Sequence, residues 1–276
     1  MRKVCKPFFR SPLSKFKPFR ELGAFLCKQP AKFVAVSRRD IDAFMVLDIE
    51  DEYGKRVLKS GKIETPEDEF IKRLVKPGWS VLDIGAHWGG FSILFGKLVG
   101  KEGKVFSFEA SSKNYKLLRW NIFINNLKGV VETYHYAVGD REGEVQLKVA
   151  STSSGHNSVL RYDLPTKEVE TVKQIALDNF LKATKVDFVK MDIEGYEYFA
   201  LKGMENIIKN NSLWLFIEFS PQFMGESLTK ELYGFLKFYF EEVYLAHGGK
   251  IFKTDWDTAY RISLEKGQRN LFLRKG

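Results

Sequence analysis

Two acids at the ends of apolar runs are the residues whose type and spacing first indicate chemistry in this sequence. Asp83 lies near the end of a run that starts at Ser80, and Glu109 lies 26 residues later, in a run from Lys104 to Ala110. If these runs are neighbouring parallel strands, the second acid is placed to bind ribose hydroxyls. The first acid would repel a diphosphate and suits a cationic ligand, such as one that carries an ammonium and a sulfonium.

A glycine-containing turn joins the first acid to a helix. Gly85, Gly89 and Gly90 follow Asp83, and an apolar helix face begins at Phe91. In an open parallel sheet such a turn lies at the carboxyl end of a strand and lets ligand atoms approach the backbone. The spacing does not match the G-x-G-x-x-G pattern of dinucleotide-binding turns. The sequence therefore predicts a site for a nucleoside cofactor. The predicted contacts are Asp83, Gly85, Ala86, Gly89, Glu109 and Ala110.

A third group of acids follows a later apolar run and could supply a base. The run Asp187–Ile193 is typical of a buried strand, and Asp192, Glu194 and Glu197 lie at or beyond its end. Two close carboxylates raise each other's pKa, which makes one of them a better base near neutral pH. We therefore predict catalytic roles for Asp192 and Glu194. The alternative is that Asp192 anchors the turn and Glu194 caps the helix, and for Glu197 we predict only the capping role.

Two further residues could act on an acceptor molecule. His156 lies in the polar segment Ser151–Ser158, where an imidazole could serve as a base or could simply be solvated. Glu218 ends another apolar run and is a candidate substrate contact, although it could equally lie on the rim of the site. Asp192 and Glu194 offer two carboxylates with no third candidate ligand nearby, so we predict no metal site.

These stretches occur in the order of the motifs of a known family. The motifs are Asp83–Ala86 with Gly89, then Phe108–Glu109 with Asn114, Tyr115 and Asn121, then Lys190–Glu197. From about residue 40 to about residue 220 the chain resembles the FkbM-type family of S-adenosylmethionine-dependent methyltransferases. The most specific element is the D-[IV]-E-G-x-E block, which begins here at Asp192. His87 is a departure, because the family usually has Asn at this position.

The resemblance implies an α/β fold of the Rossmann-like class I methyltransferase type. This fold has a mostly parallel seven-stranded sheet with helices on both faces and an antiparallel C-terminal hairpin. The resemblance also implies S-adenosyl-L-methionine as the cofactor, with His87 near its amino-acid end, Ala137 beside its adenine and Glu64 facing it. The expected reaction is O-methylation of a hydroxyl on a sugar, glycan, lipid-linked saccharide or secondary metabolite.

Two other functions fit parts of the sequence. A nucleic-acid (RNA) methyltransferase could use the basic N-terminal residues for phosphate contacts. Base-amino methylation, however, usually requires an Asn/Asp-Pro-Pro-aromatic block, and this chain has Asp192–Gly195 at that place. The second alternative is a non-catalytic module that binds the cofactor, which the departure at His87 leaves open.

Hydrophobic patterning predicts the elements that must position these residues. Residues 1–39 form a basic aromatic arm, residues 40–78 form entry strands and a helix, and residues 79–276 form the cofactor-binding domain. The entry region has strand-like pieces at Ile41–Ile49 and Lys55–Leu58 and then a helix from Thr65 to Pro77. Further predicted strands cover residues 129–138, 144–149, 169–175, 213–219, 243–246 and 270–274.

The positive charge of the chain is concentrated in the arm. The net charge is +9, and residues 1–39 alone carry +10 because they hold eleven Lys or Arg and one acid. The rest of the chain is thus nearly neutral, which argues against a protein that binds nucleic acid along its whole surface. Cys5 and Cys27 are too few for a disulfide scaffold, and no Cys/His cluster has zinc spacing. The sequence contains no signal-peptide core, so we expect a cytoplasmic protein.

The arm interleaves its basic residues with an apolar face that includes Leu13, Phe16 and Phe19. A basic amphipathic helix of this kind can lie in the interface of an anionic membrane. It can equally pack on the catalytic domain and leave its charged face in solvent.

If the arm binds lipid, liposomes that contain anionic lipid should float the full chain but not a chain without residues 1–39. Neutral liposomes are the control, because the attraction depends on charge. Equal partitioning of both chains would contradict the membrane hypothesis.

Overall fold

A computed structural model describes residues 32–276 apart from residues 62, 64 and 162, and this part of the chain contains both strands and helices. Glu64 and residues 1–31 of the predicted arm lie outside the described residues. The strands are β1 (Phe33–Arg38), β2 (Ala43–Asp48), β3 (Ser80–Ile84), β4 (Lys104–Phe108), β5 (Val131–Tyr134), β6 (Ala137–Val138), β7 (Gly143–Ala150), β8 (Thr166–Ile175), β9 (Phe188–Met191), β10 (Trp214–Phe219), β11 (Glu242–His247), β12 (Lys250–Thr254) and β13 (Arg269–Arg274). The helices are α1 (Glu52–Ser60), α2 (Pro66–Leu74), α3 (Gly90–Val99), α4 (Ser112–Ile124), α5 (Leu177–Phe180), α6 (Glu197–Lys202), α7 (Glu205–Asn210), α8 (Pro221–Tyr239) and α9 (Trp256–Lys266).

The central sheet has eight strands among the described residues, in the order β12-β11-β13-β10-β9-β3-β4-β5. Strands β5, β4, β3, β9 and β10 are parallel to one another, and β13 is antiparallel to both of its neighbours. The α/β class and the mostly parallel sheet are confirmed. The sheet has one strand more than the predicted seven, because β12 pairs with β11 at the edge. Since β12 and α9 are inserted between β11 and β13, the closing pair is not a simple hairpin.

Helices cover both faces of this sheet. Alternate residues of β3 enter different cores: Leu82 and Ile84 pack with residues of α6 and α8, whereas Val81 packs with residues of α2 and α3. All four residues of β9 are buried, as expected for the middle of a parallel sheet that is covered on both sides. The carboxyl ends of β3, β4 and β9 therefore meet at one edge, between the two helical layers.

Two segments differ from the sequence-based expectation. Residues 55–58 belong to helix α1 and not to a strand, because Asp51 caps the helix by accepting from the backbone N–H of Tyr53 and Gly61 ends it at a φ of 66°. The predicted strand 129–138 is divided into β5 of the central sheet and β6 of a separate sheet. That second sheet has three strands in the order β6-β8-β7, and the segment that links β7 to β8 runs toward the site edge.

The hairpin of β1 and β2 is attached to the domain through Asn121 of α4 and through Asn125, the residue that follows this helix. Asn121 accepts from the N–H of Val46 and donates to its carbonyl oxygen, at 2.7 and 3.1 Å. Asn125 makes the same pair of bonds with Phe44, at 2.8 and 2.7 Å. The two side chains thus act on β2 as a neighbouring strand would. Because β1 lies within the predicted arm of residues 1–39 and belongs to the fold, the truncation for the liposome test should remove residues 1–31 only.

None of the helices in the described part of the chain combines the length and the apolar character that crossing a bilayer requires.

We expect Asn121→Ala to lower the free energy of unfolding by about 2–4 kcal/mol, because it leaves the buried polar groups of Val46 and the carbonyl oxygen of Trp88 without a partner. Urea unfolding followed by circular dichroism measures this loss. The control is Asn210→Ala at an exposed position of α7, where we expect a change within about 0.5 kcal/mol. Equal effects of the two variants would contradict the proposed attachment.

Candidate active site

A cavity of about 660 Å³ opens at the carboxyl ends of β3, β4 and β9. One side of its wall comes from the turns that follow these strands, and other parts come from α1 and from residues 153–157. Most of the residues predicted from the sequence line it. They are Gly85, Ala86, His87, Glu109, Ala110, Ala137, His156, Asp192, Glu194 and Glu218. The topology thus brings together residues that are more than a hundred positions apart.

The turn after β3 requires glycine at two positions. Gly85 has a φ of 77°, and a Cβ there would overlap the carbonyl oxygen of Asp192. Gly89 has a φ of 89°, and a Cβ there would lie 2.8 Å from the side chain of Leu118. Gly89 caps α3 and does not line the cavity, so its role is to let α3 begin close to α4. The prediction that Gly89 contacts the cofactor is corrected accordingly.

His87 has the left-handed φ of 51°, and it occupies the position where the family usually has Asn. Its backbone N–H donates to Glu109 at 2.7 Å, and its Nε2 lies 2.8 Å from the hydroxyl oxygen of Ser154. The ring stacks on Trp88 at 4.6 Å between centroids. Burial lowers the pKa of His87 to about 3, so the imidazole is neutral. The side chain therefore connects the turn to the 3₁₀ segment Ser154–His156.

Backbone N–H groups of the turn after β3 and of the turn after β4 hold the Glu109 carboxylate. It accepts from the N–H of His87 at 2.7 Å, from the N–H of Ser111 at 2.9 Å and from Asn114 at 3.5 Å. Burial raises its pKa to about 7, and these hydrogen bonds oppose that shift. A carboxylate has about four acceptor positions, so Glu109 can still accept from a ligand hydroxyl in the cavity. Its position agrees with the predicted role in binding a ribose.

Asp83 does not reach the cavity, and this corrects the prediction that it contacts the cofactor directly. The side chain is fully buried, accepts from Ser92 at 2.5 Å and lies 3.7 Å from the ammonium of Lys190. Burial raises the pKa of Asp83, and Lys190 opposes this shift. The residue that reaches the cavity in its place is Lys190, which sequence reasoning missed although it lies inside the third motif.

Three carboxylates converge on the acceptor side of the cavity. Asp192, Glu194 and Glu218 each offer an oxygen, and these oxygens lie within 4.8 Å of one another. Glu218 is the third carboxylate that the sequence could not place near the other two. The sequence predicted no metal site because a third ligand was missing, and that reason is wrong since Glu218 supplies the third carboxylate. Glu218 also accepts from Ser220 at 3.0 Å and from Gln268.

Glu194 is the member of this group with the most unusual surroundings. Its backbone has a φ of 54°, which is strained for a residue with a side chain. Burial, and then the nearby Asp192 and Glu197, raise its pKa to about 8, while an ion pair with Arg161 at 3.3 Å opposes the shift. Burial and Asp192 also raise the pKa of Glu218 well above its usual value. The group can therefore hold a proton near neutral pH.

Glu197 has a structural role, but it holds the turn before α6 instead of making the predicted capping bond to the helix. It is buried and accepts from the backbone N–H groups of Ile193 and Gly195 at 2.9 and 3.3 Å, which fixes the turn that carries Glu194. His156, by contrast, lies on the cavity wall, where partial desolvation of its ring lowers its pKa.

Comparisons with known proteins identify a family whose sequence model this chain matches. The sequence model of the methyltransferase FkbM domain matches residues 83–245, which is more than half of the chain. A comparison with curated protein sequences gives no match. Among solved structures, a methyltransferase FkbM from Methylobacillus flagellatus KT is 18% identical with a TM-score of 0.45, over 75% of this chain and 50% of that chain.

Two further solved structures are similar at the same level. An O-methyltransferase from Bacillus cereus in complex with SAH is 15% identical with a TM-score of 0.47, over 80% of this chain and 89% of that chain. An SAM-dependent O-methyltransferase from Thermotoga maritima is 12% identical with a TM-score of 0.43, over 89% of this chain and 93% of that chain. Structural similarity this low does not bear on the reaction.

Glu197 should make stability depend on pH. Burial raises its folded-state pKa to about 7, whereas an unfolded Glu titrates near about 4.3. The folded protein therefore binds more protons between these values, and the stability that this carboxyl contributes is lost as the pH rises through about 7. We expect Glu197→Gln to flatten the fall in unfolding free energy between about pH 5 and pH 8, measured by urea unfolding.

Part of that slope should remain in the variant, because burial also raises the pKa of Glu109 to about 7 and that of Glu194 to about 8. Glu265→Gln, at an exposed position of α9, is the control and should leave the slope unchanged. A slope that is identical in Glu197→Gln and the control would show that Glu197 is ionised in the folded protein.

Proposed function

This chain belongs to the family of the methyltransferase FkbM domain, and we propose that it methylates a hydroxyl of a sugar, glycan, lipid-linked saccharide or secondary metabolite. It is a methyltransferase, and its cofactor is S-adenosylmethionine. The observation that carries the proposal is a single cavity that holds both Glu109 and the group of Asp192, Glu194 and Glu218.

The donor side of the cavity fits the chemistry of this cofactor. Glu109 retains acceptor capacity for the ribose hydroxyls, and the backbone of Gly85 borders the cavity beside it. The apolar residues Ala137, Val138 and Leu147 offer a surface for the adenine. When bound, S-adenosylmethionine supplies a methyl group that the sulfonium has already activated.

The acceptor side supports removal of a hydroxyl proton. A base is most effective when its pKa lies near the working pH, and the pKa of Glu194 is raised to about 8 by burial and by Asp192. We assign Glu194 as the residue that takes the proton. Asp192, whose side chain is 41% exposed, then accepts a hydrogen bond from the acceptor and holds it in place. Several converging carboxylates also suit an acceptor with neighbouring hydroxyls.

Identification of the acceptor tests the proposal directly. The full chain is incubated with methyl-labelled S-adenosylmethionine and, in separate reactions, with saccharides, lipid-linked saccharides, hydroxylated small metabolites and RNA. We expect label in a hydroxyl-bearing small molecule or glycan and none in RNA, because the acidic wall repels phosphates. Transfer to RNA alone would overturn the proposed acceptor class.

Glu109→Ala should weaken binding of S-adenosylhomocysteine by about 10- to 100-fold, or ~1.5–3 kcal/mol, because it removes charged hydrogen bonds to the ribose. Isothermal titration calorimetry measures the affinity, and a thermal melt confirms folding. Glu102→Ala, in the exposed turn before β4, should bind as the wild type does. Unchanged affinity in Glu109→Ala would remove this residue from the cofactor site.

Glu194→Gln should reduce kcat by about 100-fold or more, because the general base is lost. In the wild type, kcat should rise with pH up to about 8, since Glu194 must lose its proton before it can accept one. The variant should lack this rise and bind S-adenosylhomocysteine as before. Glu168→Gln, on an exposed part of β8, is the control. If the variant keeps the same pH profile, another group is the base.

A further inference from the structure

Lys190 is a buried lysine that no step described so far uses. It is 2% exposed and lies in the middle of the central sheet, yet it also borders the cavity. Its ammonium donates to the carbonyl oxygen of Gly85 at 2.8 Å and lies 3.7 Å from Asp83 and 3.8 Å from Asp192. A buried ammonium is costly unless such partners surround it, so its retention here requires a reason.

The register of the sheet explains how one side chain reaches all three partners. Lys190 pairs with Asp83 on β3, and Asp83 pairs with Ser107 on β4, so the three side chains share one face of the sheet. The hydroxyl of Ser92, from the helix α3 that packs on this face, donates to Asp83 and accepts from Ser107. Asp192 follows Lys190 by two positions, at the point where the strand ends. The ammonium therefore lies between the turn after β3 and the turn after β9.

We infer that Lys190 is a positioning residue: its ammonium holds the cofactor-binding turn at Gly85 in register with Asp192, the carboxylate that holds the acceptor. The inference rests on the proposed function for the role of Asp192, and on the family for the role of the turn. Methyl transfer is an in-line displacement, so donor and acceptor must be aligned closely. A displacement of about 1 Å can cost about 100-fold in rate.

The distances distinguish this role from simple charge balance. If Lys190 served only to neutralise Asp83, its nearest partner should be that carboxylate. The nearest partner is instead the uncharged carbonyl oxygen of Gly85, at 2.8 Å against 3.7 Å. Asp83 is also held by Ser92, so the aspartate orients the lysine while the lysine restrains the turn.

The experiment compares Asp83→Asn with the double variant Asp83→Asn/Lys190→Met. Lys190→Met alone would leave Asp83 as an unpaired buried charge and could fail to fold. Both chosen variants lack that charge, so they differ only in the ammonium and its contacts with Gly85 and Asp192. Lys253→Met, at an exposed position of β12, is the control for loss of a lysine and should behave as the wild type does. Circular dichroism confirms folding of each variant.

Relative to Asp83→Asn, we expect the double variant to bind S-adenosylhomocysteine about 10-fold more weakly, because Gly85 loses a charged hydrogen bond. We expect kcat to fall about 100-fold while the KM for the acceptor changes by less than about threefold. The melting temperature should not fall, since an apolar side chain replaces a buried charge. A purely structural lysine would instead lower stability and leave affinity and kcat unchanged.

A double variant that binds S-adenosylhomocysteine and turns over as Asp83→Asn does would overturn the inference. If the wild type methylates none of the hydroxyl acceptors, the proposed function fails, but calorimetry still decides whether Lys190 restrains the turn. Unchanged affinity in that case would overturn the inference on its own.

Discussion

The structure depends on a buried arrangement of charge between its two central strands. Lys190 and Asp83 are paired in the middle of the sheet, where an unpaired charge is costly. Ser92 from α3 completes the group, so that strand, turn and helix are fixed to one another by polar contacts. The close approach of Gly85 to the carbonyl oxygen of Asp192 adds a steric condition to the electrostatic one. Together they bring the turns after β3 and β9 against each other, and the cavity forms at that point.

Burial raises the pKa values of several carboxyl groups at this edge of the sheet. Glu109, Glu194, Glu197 and Glu218 all have raised pKa values, and burial is the largest cause for each. Their remaining surroundings separate their roles. Backbone N–H groups hold Glu109 and Glu197, whereas the neighbouring Asp192 adds to the raised pKa of Glu194. One kind of side chain thus serves ligand binding, turn geometry and proton transfer, according to what each carboxyl contacts.

Sequence reasoning recovered the residues that act through local context and missed those that act across the fold. Glu109 was placed correctly on the cavity wall, because an acid at the end of a second parallel strand has few other places to point. The same pattern predicted that Asp83 contacts the cationic part of the cofactor, but its side chain points to the α3 face and is buried. Residues 55–58 of α1 were predicted as a strand from a weak pattern, and the cap at Asp51 and the end at Gly61 outweigh that pattern in the folded chain.

By itself the sequence determined the α/β class, the mostly parallel sheet, the glycine turn and the family, because periodicity and motif order are local properties of the chain. Only the tertiary structure decided that Glu218 joins Asp192 and Glu194, and that Lys190 links Asp83 to Gly85. These contacts depend on which strands are neighbours and on which face each side chain lies. Strand order and register are set by packing of the whole core, and a one-residue shift in the register of β9 would move the side chain of Lys190 to the other face of the sheet.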